Sequence, residues 1–170
     1  MDPVIVTARV IHIGLGTFWA GAMIFNAAFL LPSMRDAGPD GAKVAAGLMR
    51  RNFMTVVPAV AVLTLLSGFY LMWKVSAGFA PGYMGTPIGI AYSTGMLASL
   101  VAFAIGITIM RPSTLRAAAL GQTLGTATPA DRDRIGAEIQ ALRARAASAG
   151  QAVAWLLGIA VITMAVARYL

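Results

Sequence analysis

The sequence predicts an all-α integral membrane protein: an antiparallel four-helix bundle with a cytoplasmic helical hairpin that extends helices three and four. Three observations predict it: the composition, four long apolar runs, and the uneven placement of the cations. Of the 170 residues, 59% are hydrophobic and 11% are charged, against roughly 45–50% and 25% in ordinary soluble domains. So few charges cannot cover a water-soluble fold of this length, and the bilayer is the expected solvent. There is no cysteine, which excludes a disulfide framework, a thiolate metal site, an iron–sulfur cluster and a cysteine nucleophile. A single histidine also excludes a multi-histidine metal site within one chain.

A membrane-spanning helix needs about 20 mostly apolar residues. The first run lies between Arg9 and Pro32, with His12 its only ionisable side chain. Met-Asp-Pro precedes it without a basic stretch, and the run exceeds the apolar core of a signal peptide, so it reads as a retained span. The second run, Phe53–Trp73, and the third, Ile88–Met110, are uncharged. The fourth, Ala146–Tyr169, carries only Arg168 near its end. One transmembrane domain over residues 1–170 follows, with spans at about 8–32, 53–74, 88–111 and 148–169.

Between the first two spans lie Arg35, Lys43, Arg50 and Arg51; between the last two lie Arg111, Arg116, Arg132, Arg134, Arg143 and Arg145. Only Arg9, Lys74 and Arg168 belong to the other side. The positive-inside rule then puts both basic connections in the cytoplasm and both termini outside an inner (cytoplasmic) membrane, on the periplasmic side. The same distribution excludes nucleic acid as a partner, because no stacking aromatics interleave with the cations.

The connections carry helix signals. Thr128-Pro129-Ala130-Asp131 is a capping residue, a proline at the first helical position and an early acid, opening a helix that runs into the fourth span. Pro112–Leu124 prolongs the third helix past a possible kink at Pro112, with the turn at Gly125-Thr126. Asp40–Arg51 is expected to lead straight into the second span. Thr86-Pro87 opens the third helix, after a loop in which Phe79 and Tyr83 suit the membrane interface.

The chemistry concentrates on the first helix. Arg9, His12, Gly16, Trp19, Met23, Asn26 and Leu30 recur at alternating spacings of three and four, which places them on one stripe. A polar stripe is costly against acyl chains, so it should point into the bundle or at a partner. Thr64, Ser67, Leu71 and Lys74 form a similar stripe in the second helix. Tyr92, Gly95, Ser99 and Gly106 do so in the third, and Gly150, Ala154 and Gly158 in the fourth. Small and hydroxyl residues of this kind serve close helix packing. Met23, Met72, Met96 and Met110 suit core filling better than copper ligation.

His12 is the candidate metal ligand, since ionisable groups within a membrane are functional hypotheses by default. It lies about two turns inside the outer surface, beneath Arg9 and Lys74. One reading is a neutral imidazole bonded to a hydroxyl or carbonyl of a neighbouring helix. The other is an axial ligand to haem b, with rim cations on the propionates and Trp19 and Met23 lining the macrocycle. A quinone head group hydrogen-bonded to His12 or Tyr92 fits the same pocket. No residue is assigned a catalytic role. Gly14-Leu15-Gly16 is not a dinucleotide loop, because Trp19 replaces the third glycine and no strand precedes it.

Arg9-Val-Ile-His12, Phe18-Trp19-Ala-Gly21 and Leu30-Leu31-Pro32, with Leu63-Thr64-Leu65-Leu66-Ser67-Gly68 in the second span, resemble the copper-resistance D (CopD)-like superfamily of small four-helix membrane proteins. Its relatives include a four-helix protoporphyrinogen oxidase family. The resemblance covers the first two spans, under half the chain. It implies a four-helix membrane bundle and haem b or copper handling, with His12 at the place of the family's first-helix histidine. This chain has no second histidine, and its third span has no lysine. Ligation would thus need His12 from two subunits, His12 with a methionine, or an open site. The expected function is a small redox or metal-handling membrane protein binding haem b through His12. The alternative is a non-catalytic accessory subunit of a larger membrane complex. The expected partners are the lipid bilayer and either a second copy or that complex.

Overall fold

The computed structural model describes residues 2–170 and is all-helical, with no strand among the described residues. Its main helices are α1 (Pro3–Asp36), α3 (Phe53–Val75), α5 (Pro87–Thr123) and α6 (Pro129–Tyr169), each long and apolar enough to cross a membrane. Two short helices join them: α2 (Gly41–Arg50) and α4 (Pro81–Met84).

The helix starts follow from capping chemistry. Asp2 Oδ1 accepts the Val4 N–H at 2.9 Å, and Thr86 Oγ1 accepts the Gly89 N–H at 3.1 Å. Thr128 Oγ1 accepts the Asp131 N–H at 3.3 Å. In each case a proline follows at the first helical position, where its missing N–H costs nothing.

The connection between α1 and α3 corrects the sequence expectation. Residues Asp40–Arg51 do not run straight into the second span. Asn52 takes a left-handed conformation, φ 57°, which ends α2 and starts α3 afresh; asparagine tolerates that region better than most residues.

Prolines leave a second mark within α1 and α5. Asn26–Leu30 and Gly106–Met110 are π-helical, and each lies immediately before a residue–proline pair, Leu31-Pro32 and Arg111-Pro112. A proline ring collides with the carbonyl four residues back and cannot donate to it. Widening the preceding turn by one residue moves that carbonyl away, so both helices continue instead of breaking. The kink expected at Pro112 is realised as this wider turn.

α1 packs along α3 and borders α6, α5 packs along α6, and α3 meets α5 over a shorter length. Arg111–Thr123 lies against the first half of α6, where Arg116 pairs with Glu138. The core holds Trp19, Met23, Val57, Ala61, Ala102, Val153 and Leu157, the small residues letting backbones approach around the indole and thioether. α5 approaches α6 closely at Gly95, where a Cβ would stand 2.8 Å from Thr163 Oγ1 and 2.9 Å from Met164 Cγ. The ridge expected on α6 is used only in part: Gly150 is buried, whereas space is open beside Gly158.

Candidate functional site

The middle of the stripe on α1 faces inward: Trp19 and Met23 are 4% and 2% exposed, Asn26 is buried, and Ile11, Ile24 and Phe25 point outward. His12 is half-buried and rests in a notch of α3. Its Nδ1 lies 2.9 Å from the Thr64 carbonyl oxygen. A carbonyl only accepts, so Nδ1 carries the proton and donates. The notch exists because residue 68 is glycine: a Cβ there would stand 2.6 Å from His12 Cε1 and 2.9 Å from Nδ1. Thr64 also turns its hydroxyl back to the Val60 carbonyl at 2.9 Å, and the Thr64 carbonyl itself is shared between the imidazole and the Ser67 hydroxyl, which donates to it at 3.0 Å.

This arrangement has a chemical consequence. With Nδ1–H held by a backbone carbonyl, the neutral ring presents its Nε2 lone pair, and no protein partner for Nε2 occurs among the described residues. A fixed Nδ1–H donor with a free Nε2 is the orientation that metal-bound histidines adopt. The notch therefore realises the first sequence reading, a bonded imidazole, without closing the second.

The remaining expected site residues separate into groups. Arg9 is exposed one turn before His12 on the same helix. Lys74 is exposed at the last turn of α3, its Nζ 5.3 Å from the centre of the Trp73 ring and 5.8 Å from that of Tyr70. The ammonium thus sits over aromatic faces and remains in reach of an anion. Tyr92 is half-buried on α5 beside Tyr83 of α4. Burial pushes the Tyr83 phenol above its ordinary range, and Tyr92 adds to the rise.

Trp19 and Met23 do not accompany His12. Seven residues separate His12 from Trp19, about 10 Å along the axis, and both core side chains line a different cleft. That cleft lies between α3 and α5 around Phe53, Ala61, Ala102 and Gly106, with Arg111 at its polar edge. It encloses about 40 Å³, far too little for a porphyrin.

Arg111 is a functional residue that the sequence did not single out. Pro58 lies inside α3 and cannot donate to the carbonyl four residues back, which is that of Met54. Arg111 Nε donates to this oxygen at 3.2 Å, supplying the hydrogen bond that proline withholds. The proline at position 58 was the available signal, but its partner is distant in sequence.

Among the described residues there is no cluster of three His, Asp, Glu or Cys side chains able to hold a metal. No protein-family model, curated protein or solved structure matches this chain.

Proposed function

We propose that this chain is an integral membrane protein of the inner membrane, an antiparallel four-helix bundle that uses His12 as an axial ligand to haem b. The observation that carries the reading is the Nδ1–H bond to the Thr64 carbonyl, which fixes the tautomer and leaves Nε2 available. By the positive-inside rule the basic connections support a topology with α2 and the α5–α6 hairpin in the cytoplasm and the His12 end toward the outside. The hairpin's arginines and the open apolar flanks of the four long helices support this insertion.

Bound haem supplies one-electron redox chemistry. The chain's own contribution is orientation and charge. Thr64 holds the imidazole, Gly68 leaves it room, and Arg9 and Lys74 offer cations for carboxylates at the rim. His12 is the one imidazole in the chain, so it would hold the haem with a second His12 from another copy, with a methionine, or alone. The donor set fits a single axial ligand; it does not fit ligation by two histidines within one chain. Copper or a quinone would meet the same nitrogen.

A dithionite-reduced minus oxidised spectrum of the purified protein tests this. A haem α band and Soret band that disappear in His12→Ala are expected. No bands, or bands unchanged in that variant, would refute the proposal.

A second reading, an accessory subunit of a larger membrane complex, is favoured by one surface of α6. Trp155 and Ile162 are 77% and 64% exposed and flank Gly158, beside which there is open space. Such a notch suits a neighbouring helix.

A further inference from the structure

The cleft at the Phe53 end of α3 has a chemistry of its own. Its walls are apolar, drawn from Trp19, Phe53, Ala61, Ala102 and Gly106, and it opens between α3 and α5. A gap of this size in a packed helix layer forfeits dispersion contacts unless something fills it. Arg111 marks its polar edge, tied through Nε to the Met54 carbonyl. That single bond occupies one of five guanidinium donors. Among the described residues no carboxylate lies within ion-pair distance of Arg111. Arg50 and Arg51, which precede α3 directly, also lack a carboxylate partner among the described residues. An anchored, unpaired guanidinium beside an apolar slot is complementary to an anionic head joined to a hydrocarbon chain.

We infer that this cleft seats one acyl chain of an anionic phospholipid from the cytoplasmic leaflet, with the phosphate on the free Nη groups of Arg111. The inference rests on the membrane reading above and is independent of haem. A neutral quinone fits less well, because the charged donor at the edge of the slot, Arg111, complements an anion better than a neutral carbonyl oxygen. The cleft is shallow and open along one side, so a chain would lie along it with only part of its length covered, its outer face toward the bilayer.

Arg111 has a structural duty as well, so a plain Arg111→Gln change mixes two effects. Pro58→Ala separates them, because a backbone N–H at position 58 serves the Met54 carbonyl in place of Arg111. Gly106→Leu puts a side chain toward the cleft from a position where a Cβ meets nothing within 4 Å.

The test is native mass spectrometry of the full chain in mild detergent, titrated with phosphatidylglycerol or phosphatidylcholine of the same acyl chains. The wild type and Pro58→Ala should each retain one phosphatidylglycerol about fivefold more strongly than phosphatidylcholine, the worth of one arginine near a charged headgroup. Pro58→Ala/Arg111→Gln should retain the two lipids equally, and Gly106→Leu should retain little of either. Equal retention in the wild type would overturn the inference. So would an unchanged preference in the double variant, displacement of the lipid by inorganic phosphate alone, or a dimer that excludes lipid. Carbonate extraction of cell membranes separates this from the reading beneath it. Protein in the supernatant refutes membrane insertion. Protein in the pellet without a lipid preference refutes only the cleft assignment.

Discussion

Two backbone carbonyls of α3 set what the two most informative side chains can do. The Thr64 oxygen takes the Nδ1 proton of His12, and the Met54 oxygen takes the Nε proton of Arg111. Each has a sequence cause, a glycine at 68 and a proline at 58. Gly68→Ala puts a methyl group where the imidazole lies, so the ring swings away and the bond is lost. We expect a loss of about 1 kcal/mol in unfolding free energy, with the haem bands shifted or absent in the difference spectrum. Arg111→Gln should cost about 1.5–3 kcal/mol, the worth of a hydrogen bond from a charged donor. In a Pro58→Ala background most of that cost should vanish. A double-mutant cycle by chemical denaturation reads the coupling, and additive effects would contradict the assignment. At the far end, the Thr128 hydroxyl donates to Asp131 Oδ2 at 2.7 Å and, with Arg134, holds that carboxyl below its ordinary range. Since the folded value is the lower one, its contribution is present above the ordinary carboxylate range and fades as pH falls through the folded value. Thr128→Ala should raise the midpoint of the Asp131 carboxyl resonance in a carbon-13 pH titration. The His12 stripe was legible because helical spacing is local. The Arg111–Met54 bond was not, because its partners are 57 positions apart and nothing local encodes which donor reaches an orphaned carbonyl.

Among the elements, helix ends were readable where a short polar residue precedes a proline, as at Thr86-Pro87 and Thr128-Pro129. The break at Asn52 was missed because Asp40–Arg51 and Phe53–Trp73 are both good helix formers, and one left-handed residue is enough to part them. The two π-helical turns were foreshadowed only as a possible kink at Pro112. Periodicity over a window does not register one extra residue. That extra residue predicts an unusual tolerance. Deleting Thr108, which is exposed, should return the turn to ordinary α geometry and keep Ser113 and Ala117 buried. Deleting Leu100 from regular helix should instead rotate everything after it by about 100° and expose that face. Melting curves in detergent compare the two. Equal damage from both deletions would show that Gly106–Met110 is not an inserted residue.

For the whole molecule, composition and four apolar runs were sufficient for an all-helical chain with four helices able to cross a membrane. They were insufficient for the site, because the sequence grouped Trp19 and Met23 with His12 on one stripe without placing them along its length. The structure divides that stripe between the imidazole notch midway along α3 and the Arg111 cleft toward its start. The proposed topology is testable without background, since the chain has no cysteine. Single cysteines replacing Ser33 or Gln122 should react with an impermeant maleimide only after the membrane is opened, and one replacing Gly82 should react in intact cells. The central claim concerns His12, and the chain's lone histidine makes it directly observable. Nitrogen-15 NMR of protein labelled only in histidine gives one pair of ring signals. The account predicts a protonated Nδ1 and a bare Nε2, with the Nε2 signal shifted or broadened away when ferric haem is added. A protonated Nε2 with a bare Nδ1, or ring signals that haem leaves unchanged, would contradict it.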